Sequence, residues 1–382
     1  MQALGFRPRL VAALLGVLLP GASASAYQQT NLVSDLPGVA ANQDVNLQNP
    51  WGISYAPTSP FWVSDNGTGL ATLYKADGAT VPLAVTIPPP AAQPAPSLPT
   101  GEVFNNTPGF TLPSGQATNF LFATEGGTLA GWNGSSGTNA ITTVDQSASG
   151  AVYKGLALGQ SGANNFLYAT NFHAGTVDVF DSGFQAATLA GSFQDPILPV
   201  GYAPFNVENL GGSLFVTYAL QDASQTGDVA GPGNGYVDVY DTSGVFQKRL
   251  VSRGVLNSPW GLALAPASFG SLGGSLLVGN FGDGTIHAFD PSTGASKGVV
   301  EDGNGKAIEI PGLWALKFGG GAANNGPLDT LFFTAGIAGP NGQVEDHGLF
   351  GSLTVVPEPG TLALLGAGVA GLASIGRRRI RS

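Results

Sequence analysis

The sequence predicts an all-β fold, a six-bladed β-propeller of four-stranded antiparallel blades, on three observations. One pattern of apolar and polar residues occurs six times, at intervals of about 50 residues. Charged residues make up only 10% of the 382 residues, too few for a solvated helical bundle. Glycine occurs 58 times and proline 27 times, which is typical of many short strands joined by tight turns. One blade cannot bury both of its faces alone, so we expect six blades to cover each other around one axis.

Each repeat contains three recognisable strands and a more variable fourth segment. The first strand is a short apolar run, and the second is aromatic and β-branched and usually ends in a polar residue. The third begins with glycine and alternates between apolar and polar side chains. We expect residues 27–45 to supply the strand that closes the ring, within a propeller domain of residues 27–355. The six first strands are aligned on Gly52, Gly101, Gly155, Asn206, Gly261 and Leu313.

Both ends of the chain differ from the repeats. Residues 1–26 contain Arg7 and Arg9, an apolar run and a small-residue stretch, which is the pattern of a secretory signal peptide removed by signal peptidase. Residues 356–382 contain an apolar stretch, 361–375, which we expect to form a transmembrane helix. It is shorter than the roughly 20 residues that span a bilayer comfortably. The arginines that follow would stop it on the cytoplasmic side.

The C-terminal segment resembles a PEP-CTERM sorting signal. The resemblance depends on Pro357, Glu358 and Pro359, the apolar stretch after them and an arginine cluster, in that order at the end of the chain. It implies transient inner-membrane anchoring, recognition by an exosortase, and a cell-surface or extracellular destination in a Gram-negative bacterium that produces exopolysaccharide. The cluster includes Arg377, Arg378 and Arg379.

Charge and cysteine content exclude several classes of function. The formal net charge is -10, and the segment between the two ends has eight basic against 23 acidic residues, or about -15. Such a surface repels phosphate backbones and attracts divalent cations, so we expect no nucleic-acid partner. The chain has no cysteine, which excludes disulfides, thiolate metal ligands and cysteine nucleophiles.

The repeats resemble a family of uncharacterised secreted bacterial β-propeller proteins. The segments NPWGISY, FATEGGTLAGW, GYAPFNVENLGGSLFVTYALQD and LLVGNFGDGTIHAFD carry this resemblance across nearly the whole body. It implies a propeller related to the NHL and gluconolactonase types. It implies no particular activity, because a fold alone does not supply one.

Polar residues at the ends of the second strands form the first candidate site. In a propeller blade the first strand begins and the second strand ends on the same face of the disc, so these residues should surround one mouth of the channel. Their carboxylate and amide oxygens suit Ca²⁺, although such residues are also common in turns. Asp222, in the long loop of the fourth repeat, is a further candidate. The ligand-binding candidates, called the rim set below, are Asp65, Glu125, Asn171, Tyr218, Asp222 and Asn280.

Glu102 and Glu208 are the predicted metal ligands. Both lie inside first strands, where the other repeats have mostly apolar or small residues. A carboxylate next to the axis costs free energy unless it is paired or bound to a metal. The gluconolactonase resemblance implies a divalent ion held near the channel, whereas a hydrogen-bonded structural carboxylate is the alternative for each residue. In our alignment Glu102 occupies the position of Ile53, Leu156, Val207, Leu262 and Trp314.

Three functions are compatible with these features. The sequence favours a non-enzymatic module that binds a ligand or partner, such as exopolysaccharide or a surface protein, together with Ca²⁺. The alternative is a metal-dependent, lactonase-like hydrolase that uses Glu102, Glu208 and the rim set. The second alternative is a purely structural matrix protein. No catalytic residue is assigned, because no G-x-S-x-G segment is present to hold a serine nucleophile.

Overall fold

The computed structural model describes residues 25–91 and 93–356, which form six β-sheets around one axis. Each innermost strand contacts the innermost strands of the two neighbouring sheets, so the ring is closed. The six-bladed propeller predicted from the repeats is confirmed. The described residues also include three short 3₁₀ helices and contain no α-helix.

Neighbouring strands of the blades pair antiparallel from the axis outward, except that β2 pairs parallel with β1 at the outer edge of blade 6. Blades 1 to 3 comprise β3 (Pro50–Ser54), β4 (Phe61–Asp65), β5 (Leu70–Tyr74) and β6 (Val85–Thr86); β7 (Pro99–Phe104), β8 (Phe120–Thr124), β9 (Thr128–Trp132) and β10 (Ile141–Asp145); and β11 (Tyr153–Ser161), β12 (Asn164–Asn171) and β13 (Thr176–Asp181). Blades 4 to 6 comprise β14 (Tyr202–Leu210), β15 (Ser213–Leu220), β16 (Tyr236–Asp241) and β17 (Phe246–Ser252); β18 (Pro259–Leu264), β19 (Leu276–Asn280), β20 (Ile286–Phe289) and β21 (Ser296–Val299); and β22 (Leu313–Phe318), β23 (Leu331–Ala335) and β24 (Leu349–Val356), with β1 (Ala26–Ser34) and β2 (Asn42–Gln43) at the outer edge.

Strand β1 places the first residues of the described chain beside the last ones in blade 6. It pairs antiparallel with β24, from Ala26 opposite Val356 to Ser34 opposite Leu349. The last sheet therefore takes its outer strand from the start of the chain, which holds the ring closed. The start of β1 and the end of β24 lie side by side.

The fourth segment of blade 3 leaves its own sheet early. It pairs with β13 at the isolated bridge between Phe180 and Ala186. The chain then turns toward blade 4, where the amides of Gly191 and Phe193 donate to the β16–β17 turn at 2.8 and 3.0 Å. Phe193 is buried there against Tyr240, with ring centroids 5.4 Å apart. Packing against the neighbouring blade replaces regular pairing within the blade.

The hydrophobic core is divided among the gaps between neighbouring blades. Between blades 1 and 2, Trp62 packs on Phe120 with ring centroids 4.2 Å apart, and Trp132 packs on Trp62 at 4.6 Å. Comparable buried clusters fill the other gaps. Each sheet is therefore covered on both faces, which explains why its inner strands read as nearly continuous apolar runs.

The repeated glycine of the first strand marks the place where the backbones of neighbouring blades meet. A Cβ atom at Gly52 would lie 2.5 Å from the backbone of blade 2, and one at Gly101 would lie 2.5 Å from the backbone of blade 3. In blade 4 this position is Asn206, whose Nδ2 donates to the carbonyl of Trp260 in blade 5 at 2.8 Å. Close approach at the axis, rather than a turn, requires the small residue.

In the sixth repeat, the residue equivalent to the repeated glycine lies two positions later in the structure than in the sequence alignment. The amides of Gly155, Asn206 and Ala315 each bond a threonine hydroxyl of the neighbouring second strand, at 2.6, 3.0 and 3.0 Å. Ala315, not Leu313, is thus the equivalent of the repeated glycine. The alignment of Leu313 and Trp314 was wrong because it placed Pro311 at the position that Leu313 occupies, and the sixth copy has no glycine at Ala315 to mark the register.

Candidate functional site

A polar pocket of about 370 Å³ opens at the axis, where the innermost strands β3, β7, β14 and β22 end. Blades 1, 2, 3, 4 and 6 all contribute to its wall. The antiparallel order directs these strand ends toward one face of the disc, called the pocket face below. The polar residues that line it are Ser54, Tyr55, Glu102, Asn106, Glu208, Asn209 and Lys317.

Glu102 forms the buried wall between blades 1 and 2. The hydroxyl of Ser54 donates to its Oε1 at 2.8 Å, and that of Ser64 donates to its Oε2 at 2.7 Å. Burial raises the pKa of the Glu102 carboxyl from 4.5 to about 8, against the opposing effect of both hydroxyls and of the Lys317 ammonium. The carboxyl is therefore mostly protonated at neutral pH.

Glu208 and Lys317 face each other nearer the mouth. The Lys317 Nζ lies 3.9 Å from the Glu208 Oε2, and the two side chains are 35% and 23% exposed. Burial raises the pKa of the Glu208 carboxyl above its usual value of 4.5, against the opposing effect of the Lys317 ammonium. The pocket therefore brings two acidic side chains and one lysine together.

The rest of the lining adds hydrogen-bonding groups and aromatic surface. The Tyr55 hydroxyl donates to the carbonyl of Phe318 at 2.9 Å, which fixes the half-buried ring. Phe104 is also half-buried, and Asn106 is exposed at the mouth. The pocket can thus offer donors, acceptors and an apolar ring face to one small ligand.

The two predicted metal ligands share this pocket, but each already has partners. Both oxygens of Glu102 accept serine hydroxyls, and Glu208 has the lysine ammonium beside it. Across residues 25–91 and 93–356, no group of three His, Cys, Asp or Glu side chains is arranged to hold a metal ion. Metal binding by Glu102 and Glu208 stays a prediction.

The rim set lies at the other end of the channel. Glu208 pairs with Phe215, near the start of β15, whereas Tyr218 pairs with Pro204, near the start of β14. Three residues of strand separate the two levels, or about 10 Å. The structure therefore brings Glu102 and Glu208 together and places no member of the rim set in their pocket.

Two acidic members of the rim set differ in their contacts, because neither carboxylate oxygen of Asp65 has a hydrogen-bond partner whereas Glu125 is paired. Asp65 is fully buried, and burial raises the pKa of its carboxyl well above the usual range. Glu125 forms an ion pair with Lys154 and accepts a bond from the Nδ2 of Asn66 at 3.0 Å. The same ammonium lies 4.9 Å from the ring centroid of Trp51.

The other four members of the rim set also bond locally. Asn171, Asp222 and Asn280 each accept a bond from a nearby backbone amide, at 3.2, 3.0 and 3.1 Å. The Tyr218 hydroxyl lies 2.7 Å from that of Tyr240, in the gap between blades. These contacts fit the turn and packing roles that such residues commonly have, and ligand binding by the rim set stays a prediction.

Aromatic side chains fill the axis near the rim. Trp51 stacks on Trp314 with ring centroids 3.5 Å apart, and Phe281 stacks on the other side of Trp314 at 4.1 Å. Trp260 meets this stack edge-on, at 6.1 Å from Trp51. All three tryptophans are buried, so they serve packing here.

Sequence reasoning missed Lys317, Asn106 and Asn209. One signal for Lys317 was available, because it is one of only eight basic residues between the two terminal segments and lies in an apolar strand. It stands where Glu208 stands in blade 4, since it pairs with Phe332 as Glu208 pairs with Phe215. The displaced alignment of the sixth repeat hid this equivalence.

Two proteins of Acanthamoeba polyphaga mimivirus are similar to the chain over most of their lengths. "Uncharacterized protein R648" is 32% identical over 329 residues, which cover 83% of this chain and 79% of the viral protein. "Uncharacterized protein L690" is 35% identical over 308 residues, which cover 78% and 80%. The chain belongs to the family of these two proteins. In both comparisons the matched region is long enough to include most of this chain's propeller.

The PEP-CTERM protein-sorting motif matches residues 355–379, which confirms the resemblance of the tail. The motif indicates an exported, exosortase-sorted protein associated with the surface of a Gram-negative bacterium. The predicted sorting residues, the predicted helix 361–375 and residues 1–24 of the predicted signal peptide lie outside the described residues. Residues 25–91 and 93–356 include no helix that could span a bilayer.

Solved structures resemble this family member more distantly. Virginiamycin B lyase from Staphylococcus aureus is 11% identical with a TM-score of 0.47, over 86% of this chain and 99% of that one. A GH93 α-L-arabinofuranosidase of Fusarium graminearum is 10% identical with a TM-score of 0.48, over 86% and 98%. At these scores neither structure bears on the function of the chain.

Proposed function

We propose that the protein is a surface-associated binding module whose axial pocket holds a short segment of saccharide, such as a unit of exopolysaccharide. The observation that carries this proposal is the facing pair of Glu208 and Lys317 in the same pocket as the buried, serine-bonded carboxyl of Glu102. The Lys317 ammonium is a donor, and the Glu208 carboxyl next to it is an acceptor. That arrangement suits the neighbouring hydroxyls of an uncharged sugar better than it suits a phosphate group or a free cation.

Size and lining support the same ligand class. A volume of about 370 Å³ lies near the lower end of the range for small-ligand pockets and accommodates about one or two sugar rings. The half-buried rings of Tyr55 and Phe104 supply surface for the apolar face of a sugar. The sorting motif supports a location at which such polymers are met.

Calorimetric titration of the purified full chain in detergent tests the proposal. The probes are neutral hexose oligosaccharides and uronic-acid oligosaccharides of the same length. Glu208→Gln and Lys317→Met each remove a charge-assisted hydrogen bond, so we expect about a tenfold to hundredfold loss of affinity for the neutral probe. The matched controls are Lys306→Met and Glu309→Gln, an exposed pair 3.6 Å apart outside the pocket. Absence of binding, or equal losses in the control pair, would contradict the proposal.

The same titration, repeated with a chelator, tests calcium binding. A Ca²⁺ ion at Glu102 and Glu208 would have to displace the serine hydroxyls and the lysine ammonium that already contact them. We therefore expect saccharide binding to persist in excess chelator. A calcium requirement that is lost in both Glu102→Gln and Glu208→Gln would instead support the predicted metal site.

Hydrolysis in the same pocket is a second candidate. A buried carboxyl with a pKa near 8 beside a second carboxylate has the properties of a general acid with its partner. Turnover of lactone and glycoside probes, with and without added Ca²⁺, distinguishes this candidate. An enzyme should lose turnover in Glu102→Gln while keeping affinity, whereas a binding module should show no turnover at all.

A further inference from the structure

The C-terminal tail leaves the propeller on the pocket face. The Ser271 amide, in the loop between β18 and β19, donates to the Ser25 Oγ at 2.8 Å, next to the start of β1. A Cβ at Gly270 of the same loop would lie 3.2 Å from the Cγ1 of Val355. Loops between first and second strands project from the face where the first strands end. The pocket opens on that same face.

The strand register gives the distance between the tail and the pocket. Lys317 pairs with Phe332, which pairs with Ser352 of β24. Two strand spacings therefore separate Lys317 from Ser352, or about 10 Å. Val356, the last residue of β24, lies four residues beyond Ser352, or about 13 Å further along the strand. The last described residue is thus about 16 Å from the pocket wall.

The sequence allows little slack after this point. Only residues 357–360 separate Val356 from the apolar stretch 361–375, and four extended residues reach at most about 14 Å. If the apolar stretch enters the bilayer, the pocket wall at Lys317 lies within about 30 Å of the membrane surface.

We propose that the pocket face is turned toward the membrane as long as the tail anchors the chain, so that the pocket is shielded from polymers until the tail is cut. The partner of this face is the bilayer that holds the chain's own tail. Cutting the tail would then do more than release the protein, because it would also open the pocket to matrix polysaccharide. This inference concerns access to the pocket and does not depend on which ligand the pocket binds.

Cysteine labelling tests the inference on the full chain, since the natural sequence contains no cysteine. Asn106→Cys places a thiol at the pocket mouth, and Ala223→Cys places one in the exposed β15–β16 loop on the opposite face. Each variant is reconstituted into lipid vesicles, with the propeller outside, and is also kept in detergent. Both samples react with a small maleimide and with a maleimide that carries a long polyethylene glycol.

We expect the large reagent to react with Asn106→Cys about tenfold more slowly on vesicles than in detergent, if the mouth is open in about a tenth of the anchored orientations. The small reagent should react with Asn106→Cys, and both reagents with Ala223→Cys, equally in the two samples. Insertion of about 20 Gly and Ser residues between Gly360 and Thr361 gives a flexible reach of about 25 Å and should restore labelling by the large reagent. Equal labelling of Asn106→Cys in both samples, no effect of the insertion, or failure of the chain to float with vesicles would each overturn the inference.

Discussion

Substitution of Glu102 by glutamine should remove a large pH dependence from the stability of the propeller. Glu102 is 6% exposed, and the pKa of its carboxyl rises from 4.5 to about 8 because burial disfavours the charged form. A carboxyl whose pKa is raised in the folded state stabilises the fold below its unfolded pKa. That contribution is lost as the pH rises through the folded value. At 1.36 kcal/mol per pKa unit, the rise from 4.5 to about 8 corresponds to at most about 5 kcal/mol of unfolding free energy.

Glu102→Gln keeps the shape of the side chain and cannot ionise. Urea unfolding followed by tryptophan fluorescence from about pH 5 to about pH 9 gives the free energy of unfolding of both proteins. Near pH 5 the variant should be equal to wild type or about 1 kcal/mol less stable, because one serine hydroxyl must reorient toward the amide. Near pH 9 it should be more stable than wild type by several kcal/mol, up to about 5.

The difference between the two curves isolates Glu102 from the other groups that titrate in this window. Glu309→Gln is the control, since this side chain is 55% exposed and its variant should follow wild type at every pH. Parallel curves for wild type and Glu102→Gln would refute the reasoning. They would mean that the carboxyl is ionised and solvated in the folded protein.

Three further substitutions test the structure. Arg249→Met leaves two carboxylates with fully buried side chains without their cation, and we expect a loss of about 3–5 kcal/mol in urea unfolding, which a loss below about 1 kcal/mol would contradict. Tyr218→Phe removes the hydroxyl contact with Tyr240 and should cost about 1 kcal/mol without changing saccharide affinity; a parallel loss of affinity would restore Tyr218 as a ligand-binding residue. Gly155→Ala puts a Cβ 2.3 Å from the Asn206 Oδ1 and should cost about 1–3 kcal/mol, so a thermal midpoint equal to that of wild type would show that the axis has room to spare.

The fold was predictable because its information is local and repeated. Strand periodicity, turn residues and the interval of about 50 residues recur in every copy, so errors in one copy are corrected by the others. The equivalence of Lys317 and Glu208 was not predictable in this way. It depends on the register of the sixth first strand, where Ala315 replaces the glycine that would have shown it.

The site was predictable in part, for a physical reason that concerns Glu102 and Glu208. A carboxylate in an apolar strand is anomalous on its own, so both residues could be found from sequence. Their surroundings could not be found, because Ser64 and Asn106 are ordinary residues of a strand and a loop. Only the folded structure places Ser64 in contact with Glu102 and Asn106 at the pocket. Five members of the rim set share a position in the repeat and Asp222 lies in a long loop, and position alone does not distinguish a turn residue from a ligand.

The pocket lies where the repeats stop being alike. One position near the end of the first strand faces it from several blades, and it holds Ser54, Ala157, Glu208 and Lys317 in blades 1, 3, 4 and 6. The neighbouring positions that pack between blades are buried and apolar in most repeats, because every gap needs the same filling. Side chains at the mouth are free of that constraint, since they border a cavity. A change there alters what the pocket can bind at little cost in packing, whereas a change one residue earlier disturbs a gap between blades. The opposite charges of Glu208 and Lys317 at equivalent positions are therefore better explained by recognition of a ligand than by the stability of the ring.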